Sequence, residues 1–250
     1  MYSFPDECAS LANLQSFDPA AFRGDEKVPQ SICSFVLALA VIHNDCKDTM
    51  YAFVLLQQFR PKHPPAKTRE WGAFWGLEHH IYRVMFGILH ELFDLVKDNR
   101  SLLDEKFMKG VVTQLGSDAR DAWQTVVDVA LEATPNNEFG RALLLVRNKV
   151  VFHYDPKAIY KGYCRHFLDP MKLDDRAYIS RGLSMKESRF FFADAVGLGY
   201  VRAVTGLEAT DHLLGTVTEF LRPLNVALIQ LIDRFIQKRG FAYRDAEPPQ

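Results

Sequence analysis

Three side chains that could bind a phosphate group and move a proton stand close together in the sequence: Arg147, Asn148 and His153. An imidazole, whose ordinary pKa is about 6.5, takes up and releases protons at neutral pH. A guanidinium group stays charged and presents a planar fork to phosphate oxygens. A side-chain amide can hydrogen-bond either the phosphate or the imidazole. The spacing alone is not specific, so the interpretation depends on the surrounding residues.

The surrounding residues favour this set over a second arginine–histidine pair, Arg83 and His90. Apolar residues precede and separate Arg147 and His153, and Asp155-Pro156 then stops the helix and can cap a new one. The second pair has a valine after the arginine and lies in the middle of a predicted helix. We therefore attribute the second pair to chance.

An arginine, an adjacent polar residue and a later histidine near the end of a helix resemble the motif of the HEPN superfamily. Its members are α-helical domains, and many are metal-independent ribonucleases of toxin–antitoxin, abortive-infection and CRISPR systems. The resemblance covers residues 145–155 closely and the long-helix organisation of residues 31–168 more loosely. Many HEPN domains are shorter than this chain, and residues 169–250 carry no motif that we recognise.

The resemblance implies an endoribonuclease that needs neither a metal ion nor a cofactor. The 2′-hydroxyl of RNA would attack the phosphate, and the product would carry a 2′,3′-cyclic phosphate. His153 would act as general base or acid, Arg147 would bind and stabilise the phosphate, and Asn148 would orient either partner. Lys149 and Tyr154 are the candidate substrate-binding residues. Such an enzyme would be a toxin or an antiviral effector of phage defence.

The geometry of a regular helix separates the two main side chains of the motif. Six residues of ideal helix turn through about 600°, which leaves Arg147 and His153 about 120° apart. Either the helix unwinds before Asp155, or a second subunit completes the site. The resemblance favours the second arrangement, because HEPN motifs meet in pairs across a dimer interface, and we expect a homodimer.

Two other interpretations stay open. In the first, the chain has a HEPN-like fold without catalysis and is a helical module that binds a protein or nucleotide partner, such as an antitoxin or a sensor protein. In the second, the chain is an unrelated helical bundle. Arg147 would then form a surface ion pair and His153 would cap a helix locally.

The charge of the chain is unevenly distributed along its length. The 250 residues carry a net charge of -1. The segment from Arg141 to Arg189 holds eleven Lys or Arg against five Asp or Glu, a balance of +6 that leaves -7 for the rest. A basic segment favours a phosphate-bearing partner such as RNA, and Tyr160, Tyr163 and His166 within it could stack on unpaired bases. A solvated basic helix face explains the same pattern equally well.

Apolar spacing predicts an all-α fold, an antiparallel bundle of long helices with additional C-terminal helices. We treat residues 1–250 as a single domain with an N-terminal arm (1–30), a core bundle that carries the motif (31–168) and a C-terminal helical extension (169–250). No alternating strand pattern is convincing. The predicted segments are about 31–59, 68–98, 102–115, 117–131, one opening near Asn136-Asn137, 156–168, 187–205 and 210–239, with Gly240 ending the last helix.

Several other classes of protein are disfavoured by missing motifs. The sequence contains no Glu-x-x-His or HExxH metal motif, no phosphate-binding glycine loop and no GxSxG serine-hydrolase motif. Residues 32–42, the most apolar run, are too few to cross a membrane, and no signal peptide is indicated. The four cysteines lack CxxC spacing, which favours a reduced, cytoplasmic protein. We interpret His79, Arg83, His90 and Asp94 as a polar stripe on a helix rather than a catalytic set.

Overall fold

The computed structural model describes residues 3–12, 14–62, 68–132, 143, 155–168, 177–181, 184–185, 187–196 and 210–245. The helices are α1 (Phe4–Ser10), α2 (Gln30–Gln57), α3 (Arg69–Asp98), α4 (Arg100–Leu103), α5 (Lys106–Val112), α6 (Ser117–Glu132), α7 (Pro156–Phe167) and α8 (Thr210–Lys238). A 3-10 turn (Pro19–Phe22) and two short strands, β1 (Gln15–Ser16) and β2 (Arg244–Asp245), complete the named elements. Residues 191–196 are also helical.

The chain is essentially all-α with long packed helices, which confirms the predicted fold class. The predicted bounds of α2, α3, α6, α7 and α8 agree with the structure to within two residues at each end. These bounds were predictable because they depend on local signals. A proline disfavours helical backbone in the residue before it, and Pro61 follows α2 in this way.

The end of α8 shows how one such local signal acts. Gly240 has a φ of 86°, in the left-handed region. Its N–H donates to the carbonyl of Gln237 at 2.8 Å, and the N–H of Phe241 donates to the carbonyl of Ile236 at 3.3 Å. These two bonds form a Schellman motif, which supplies donors to carbonyls that have no partner within the helix. Gly240 therefore ends α8, as predicted.

Two glycine-to-alanine substitutions should change stability in opposite directions. Gly240→Ala is expected to lower the free energy of unfolding by about 1–2 kcal/mol, because an L-residue is strained at positive φ. Gly215→Ala, inside α8 with nothing within 4 Å of the added methyl group, is expected to raise it by about 0.5–1 kcal/mol. Chemical unfolding curves of the two variants measure both changes. Equal effects of the two substitutions would contradict this account.

The described residues fall into two compact units. The first comprises Met1–Lys47, Leu92–Leu131 and Val217–Gln250, and the second comprises Asp48–Glu91 and Glu132–Thr216. The core of the first unit is built from fully buried side chains of α2, α3, α5, α6 and α8. The largest of them include Ile32, Leu39, Leu92, Leu224, Leu228, Leu231 and Phe235. The division into two compact units does not decide whether the chain is one domain, so the single-domain interpretation stays a prediction.

The N-terminal segment is more structured than an arm. Its residues Gln15 and Ser16 pair in antiparallel register with Asp245 and Arg244, and Ala21 and Val28 are buried. Two-residue strands are too short to show alternation in a sequence, which is why no strand pattern was found. The segment packs because residues far along the chain contact it.

Arg239 makes several of those contacts at once. Its Nε donates to the carbonyl of Ala21 at 3.1 Å, and its Nη1 pairs with Asp25 Oδ2 at 2.6 Å. Its Nη2 donates to the carbonyl of Arg23. The Arg239 side chain is only 6% exposed, so the guanidinium group fixes the loop that follows the 3-10 turn.

Two predicted helices differ from the structure. The single segment predicted over 102–115 is two short helices, α4 and α5. The helix predicted from 187 begins at 191 in the structure, because Ser180 and Arg189 exchange backbone hydrogen bonds of 2.8 and 2.9 Å. That bridge holds Arg189 in extended backbone and delays the helix.

All four cysteines are free thiols, and Cys33 and Cys46 are buried. Burial, with a smaller contribution from Asp45, raises the pKa of Cys46 to about 12. Among the residues that the structure describes, no helix is both long enough and apolar enough to cross a membrane.

Candidate functional site

The five residues predicted to form the site lie outside the described residues. They are Arg147, Asn148, Lys149, His153 and Tyr154. Their roles and their mutual geometry therefore stay predictions. The structure does describe the residues on either side of them.

The flanking residues agree with the predicted helix boundaries. Leu143 is helical and only 1% exposed, as expected for the apolar side of a helix. Asp155 caps α7, because its Oδ1 accepts from the N–H of Lys157 at 2.9 Å and its carbonyl accepts from the N–H of Ile159 at 2.9 Å. Pro156 is the first residue of α7. A new helix thus begins immediately after the motif, which confirms the predicted cap and N1 proline.

The side chains of α7 divide into an inward and an outward face. Gly162 is buried, and Ile159, Tyr163 and His166 are half-buried. Lys157, Tyr160, Lys161 and Arg165 are exposed. Their spacing of three or four residues places them along one side of the helix. We call Lys157, Tyr160 and Lys161, with Arg165, the basic face of α7.

The two lysines of the basic face, Lys157 and Lys161, carry charge that no ion pair in the described residues neutralises. The sequence of α7 contains two lysines and one arginine and no acidic residue. Within the described part of the chain, neither Lys157 nor Lys161 forms an ion pair. The nearest acidic residue in the sequence, Asp155, is engaged as the helix cap. The basic face is therefore a positively charged surface that can bind an anion.

Tyr160 is the aromatic residue that this face exposes. Its side chain is 64% exposed, and its ring stacks against Tyr163 with 6.4 Å between centroids and 14° between planes. Tyr163 in turn contacts Phe167 at 5.2 Å. A hydrogen bond with Cys164 raises the pKa of Tyr160. Three aromatic side chains of this segment were predicted to stack on bases. Tyr160 is the exposed one, since Tyr163 and His166 are half-buried.

The polar residues of α3 do not form one solvated stripe. His90 is only 8% exposed, and the ring of His79 lies 5.7 Å from that of Trp75. Asp94 forms a 3.9 Å ion pair with Lys97. The predicted surface stripe is therefore interrupted by a buried histidine.

A second polar cluster, which was not predicted from the sequence, is formed by Arg189 and Asp194 and packs against Gly76 of α3. Arg189 Nε and Nη2 each lie 3.1 Å from Asp194 Oδ2. A methyl group on Gly76 would overlap Arg189 Nη2, and one on Gly72 would lie 2.5 Å from the ring of Phe191. Glycines one helical turn apart thus let this segment pack closely on α3. Their four-residue spacing was the available signal, but the partner segment was not predictable from it.

His80 borders this cluster. Desolvation, followed by the positive charge of Arg83, lowers the pKa of His80. Asp194 opposes that shift and Arg189 adds to it. Because Asp194 already neutralises Arg189, the cluster is better suited to holding the segment against α3 than to binding an anionic ligand.

The described residues also contain no group of three or more His, Cys, Asp or Glu side chains placed to hold a metal ion.

The chain matches no protein-family model, no curated protein and no solved structure.

Proposed function

We propose that the protein is a HEPN-like, metal-independent endoribonuclease that acts in the cytoplasm as a homodimeric toxin or antiviral-defence effector. The observation that carries the proposal is the sequence Arg147-Asn148…His153, placed directly before the helix that begins at Pro156. The all-α fold and the basic face of α7 support it. An antitoxin or a sensor protein is the partner expected to control such an activity.

The proposed reaction uses the nucleophile that RNA itself carries. The 2′-oxygen forms a bond to the adjacent phosphorus, and the bond from phosphorus to the 5′-oxygen of the next nucleotide breaks. The proton of the 2′-hydroxyl is taken by a base and a proton is given to the departing 5′-oxygen, and His153 serves one or both of these transfers. Arg147 stabilises the negative charge that grows on the phosphate oxygens. Lys149 and Tyr154 contact the RNA beside the cleaved bond.

The products of RNA cleavage in EDTA test this proposal. We expect the purified protein to cut single-stranded RNA in EDTA, leaving a 2′,3′-cyclic phosphate on one fragment and a 5′-hydroxyl on the other. RNA with 2′-O-methyl groups, and DNA of the same sequence, should stay intact because both lack the nucleophile. Electrophoresis of end-labelled strands, with kinase labelling of the new 5′-hydroxyl, measures these outcomes.

Two results would count against the proposal. Cleavage of the 2′-O-methyl strand would show that another nucleophile acts. Intact RNA, together with an Arg147→Ala variant that changes only the affinity for a partner, would favour the non-catalytic HEPN-like binding module.

A further inference from the structure

We propose that the basic face of α7 binds single-stranded RNA, with the ring of Tyr160 stacked on an unpaired base and the ammonium groups of Lys157 and Lys161 on flanking phosphates. This inference rests on the proposed function and extends it, because it names the surface that holds the substrate. The surface lies just after the motif in the chain, since α7 begins at Pro156.

The arrangement of the three side chains suits a single strand. Lys157 and Lys161 are one helical turn apart, a rise of about 6 Å along the axis, so they can contact successive phosphates of one strand. Tyr160 is exposed on the same side between them. Bases of a single strand are unstacked and can lie flat on an aromatic ring, whereas those of a duplex are already stacked.

The Tyr160 ring is also held in place before any ligand binds. Its stacking on Tyr163, which itself contacts Phe167, restricts its rotation. Less side-chain freedom is then lost when a base binds. An exposed ring that is already positioned, flanked by two lysines without ion pairs in the described residues, favours a polyanion with flat bases over a protein surface.

Charge reversal on the basic face should weaken RNA binding. The probe is a short fluorescein-labelled RNA with 2′-O-methyl groups, because it cannot be cut through the 2′-hydroxyl, and fluorescence anisotropy measures its affinity. Lys157→Glu/Lys161→Glu is expected to weaken binding at least tenfold and to reduce the slope of log affinity against log salt by about 1.4. Lys106→Glu, which reverses a single exposed lysine at the start of α5, is the control and should leave affinity within about twofold.

Substitution of Tyr160 separates stacking from charge. Tyr160→Ala is expected to weaken binding by roughly 5- to 100-fold with an unchanged salt slope. Tyr160→Phe keeps the ring and should bind within about threefold of the unmodified protein. All of these side chains are exposed, so we expect every variant to fold. Circular dichroism checks this.

The outcomes distinguish this inference from the proposed function. RNA affinity that is unchanged in both Lys157→Glu/Lys161→Glu and Tyr160→Ala overturns the inference, even if a protein partner is lost. A protein that binds RNA through this face but never cuts it supports the inference and defeats the proposed function. If these variants bind RNA with unaltered affinity and still cut it, the proposed function is supported and this inference is overturned.

Discussion

Replacing His153 with alanine should lower the rate of RNA cleavage by about 10²- to 10⁴-fold, the range that a positioned general acid or base contributes. The reason is that the 2′-hydroxyl would lose its proton acceptor or the 5′-oxygen its proton donor. RNA affinity should change little, because an imidazole that transfers protons adds little to ground-state binding. Single-turnover cleavage in EDTA, with protein in excess over labelled RNA, isolates the chemical step.

Matched substitutions make this result specific. His43→Ala removes a half-buried histidine of α2 and should leave the rate within about twofold. Arg147→Lys keeps the charge but loses the planar fork, and we expect it to slow cleavage, whereas Arg222→Ala on the exposed side of α8 should not. If the His153→Ala variant is folded and cuts RNA at the original rate, the assignment of the motif is wrong.

Arg239→Ala should lower the free energy of unfolding by about 2–4 kcal/mol. The substitution removes a buried guanidinium and leaves the carbonyl of the buried residue Ala21 without its donor. The carbonyl of Arg23 loses its donor as well. The ion pair with the exposed Asp25 is a minor part of this effect, because water screens it. Urea unfolding measures the loss, and amide exchange over residues 21–28 shows where it acts.

Two controls separate the hydrogen bonds from the charge. Arg222→Ala removes an exposed arginine and should change stability by no more than about 0.5 kcal/mol. Asp25→Asn keeps an oxygen for the N–H groups of Lys27 and Val28 but removes the negative charge. Its effect should be much smaller than that of Arg239→Ala. An Arg239→Ala loss no larger than that of Arg222→Ala would show that the loop is held by other contacts.

The stability difference between the unmodified protein and Asp25→Asn should depend on pH. Hydrogen bonds from Val28 and Lys27, and then Arg239, lower the pKa of Asp25. A carboxyl with a lowered pKa stabilises the folded state above its unfolded pKa, about 3.9, and this contribution is lost as pH falls through the folded value. The stability difference between the unmodified protein and Asp25→Asn should therefore begin to shrink as pH falls below about 4 and should disappear below the folded pKa of Asp25.

The helices could be predicted because their signals are local. Pro61, Pro156 and Gly240 each act within a few residues of a helix end, and the apolar period identifies the helix between such ends. The docking of residues 15–28 could not be predicted, because it depends on Arg239, more than two hundred residues later. The packing of Phe191 on Gly72 is equally non-local.

The same distinction applies to the candidate site. Composition predicted a basic, aromatic segment after the motif, and the Asp155 cap set where its helix begins. Which tyrosine is open depends on the tertiary structure around α7, and that selected Tyr160 over Tyr163. His90 illustrates the converse, because a polar residue on a helix was expected at the surface and is buried.

The pairing of β1 with β2 has a consequence for how the protein is made. It joins Gln15 to Asp245, residues 230 positions apart in the chain. Arg239 and β2 are synthesised more than two hundred residues after the segment that they hold. The carbonyl of Ala21 therefore has no Arg239 donor, and β1 has no partner strand, until residues 239–245 have left the ribosome. The N-terminal segment should become protected from proteases only after that point, however early it is synthesised.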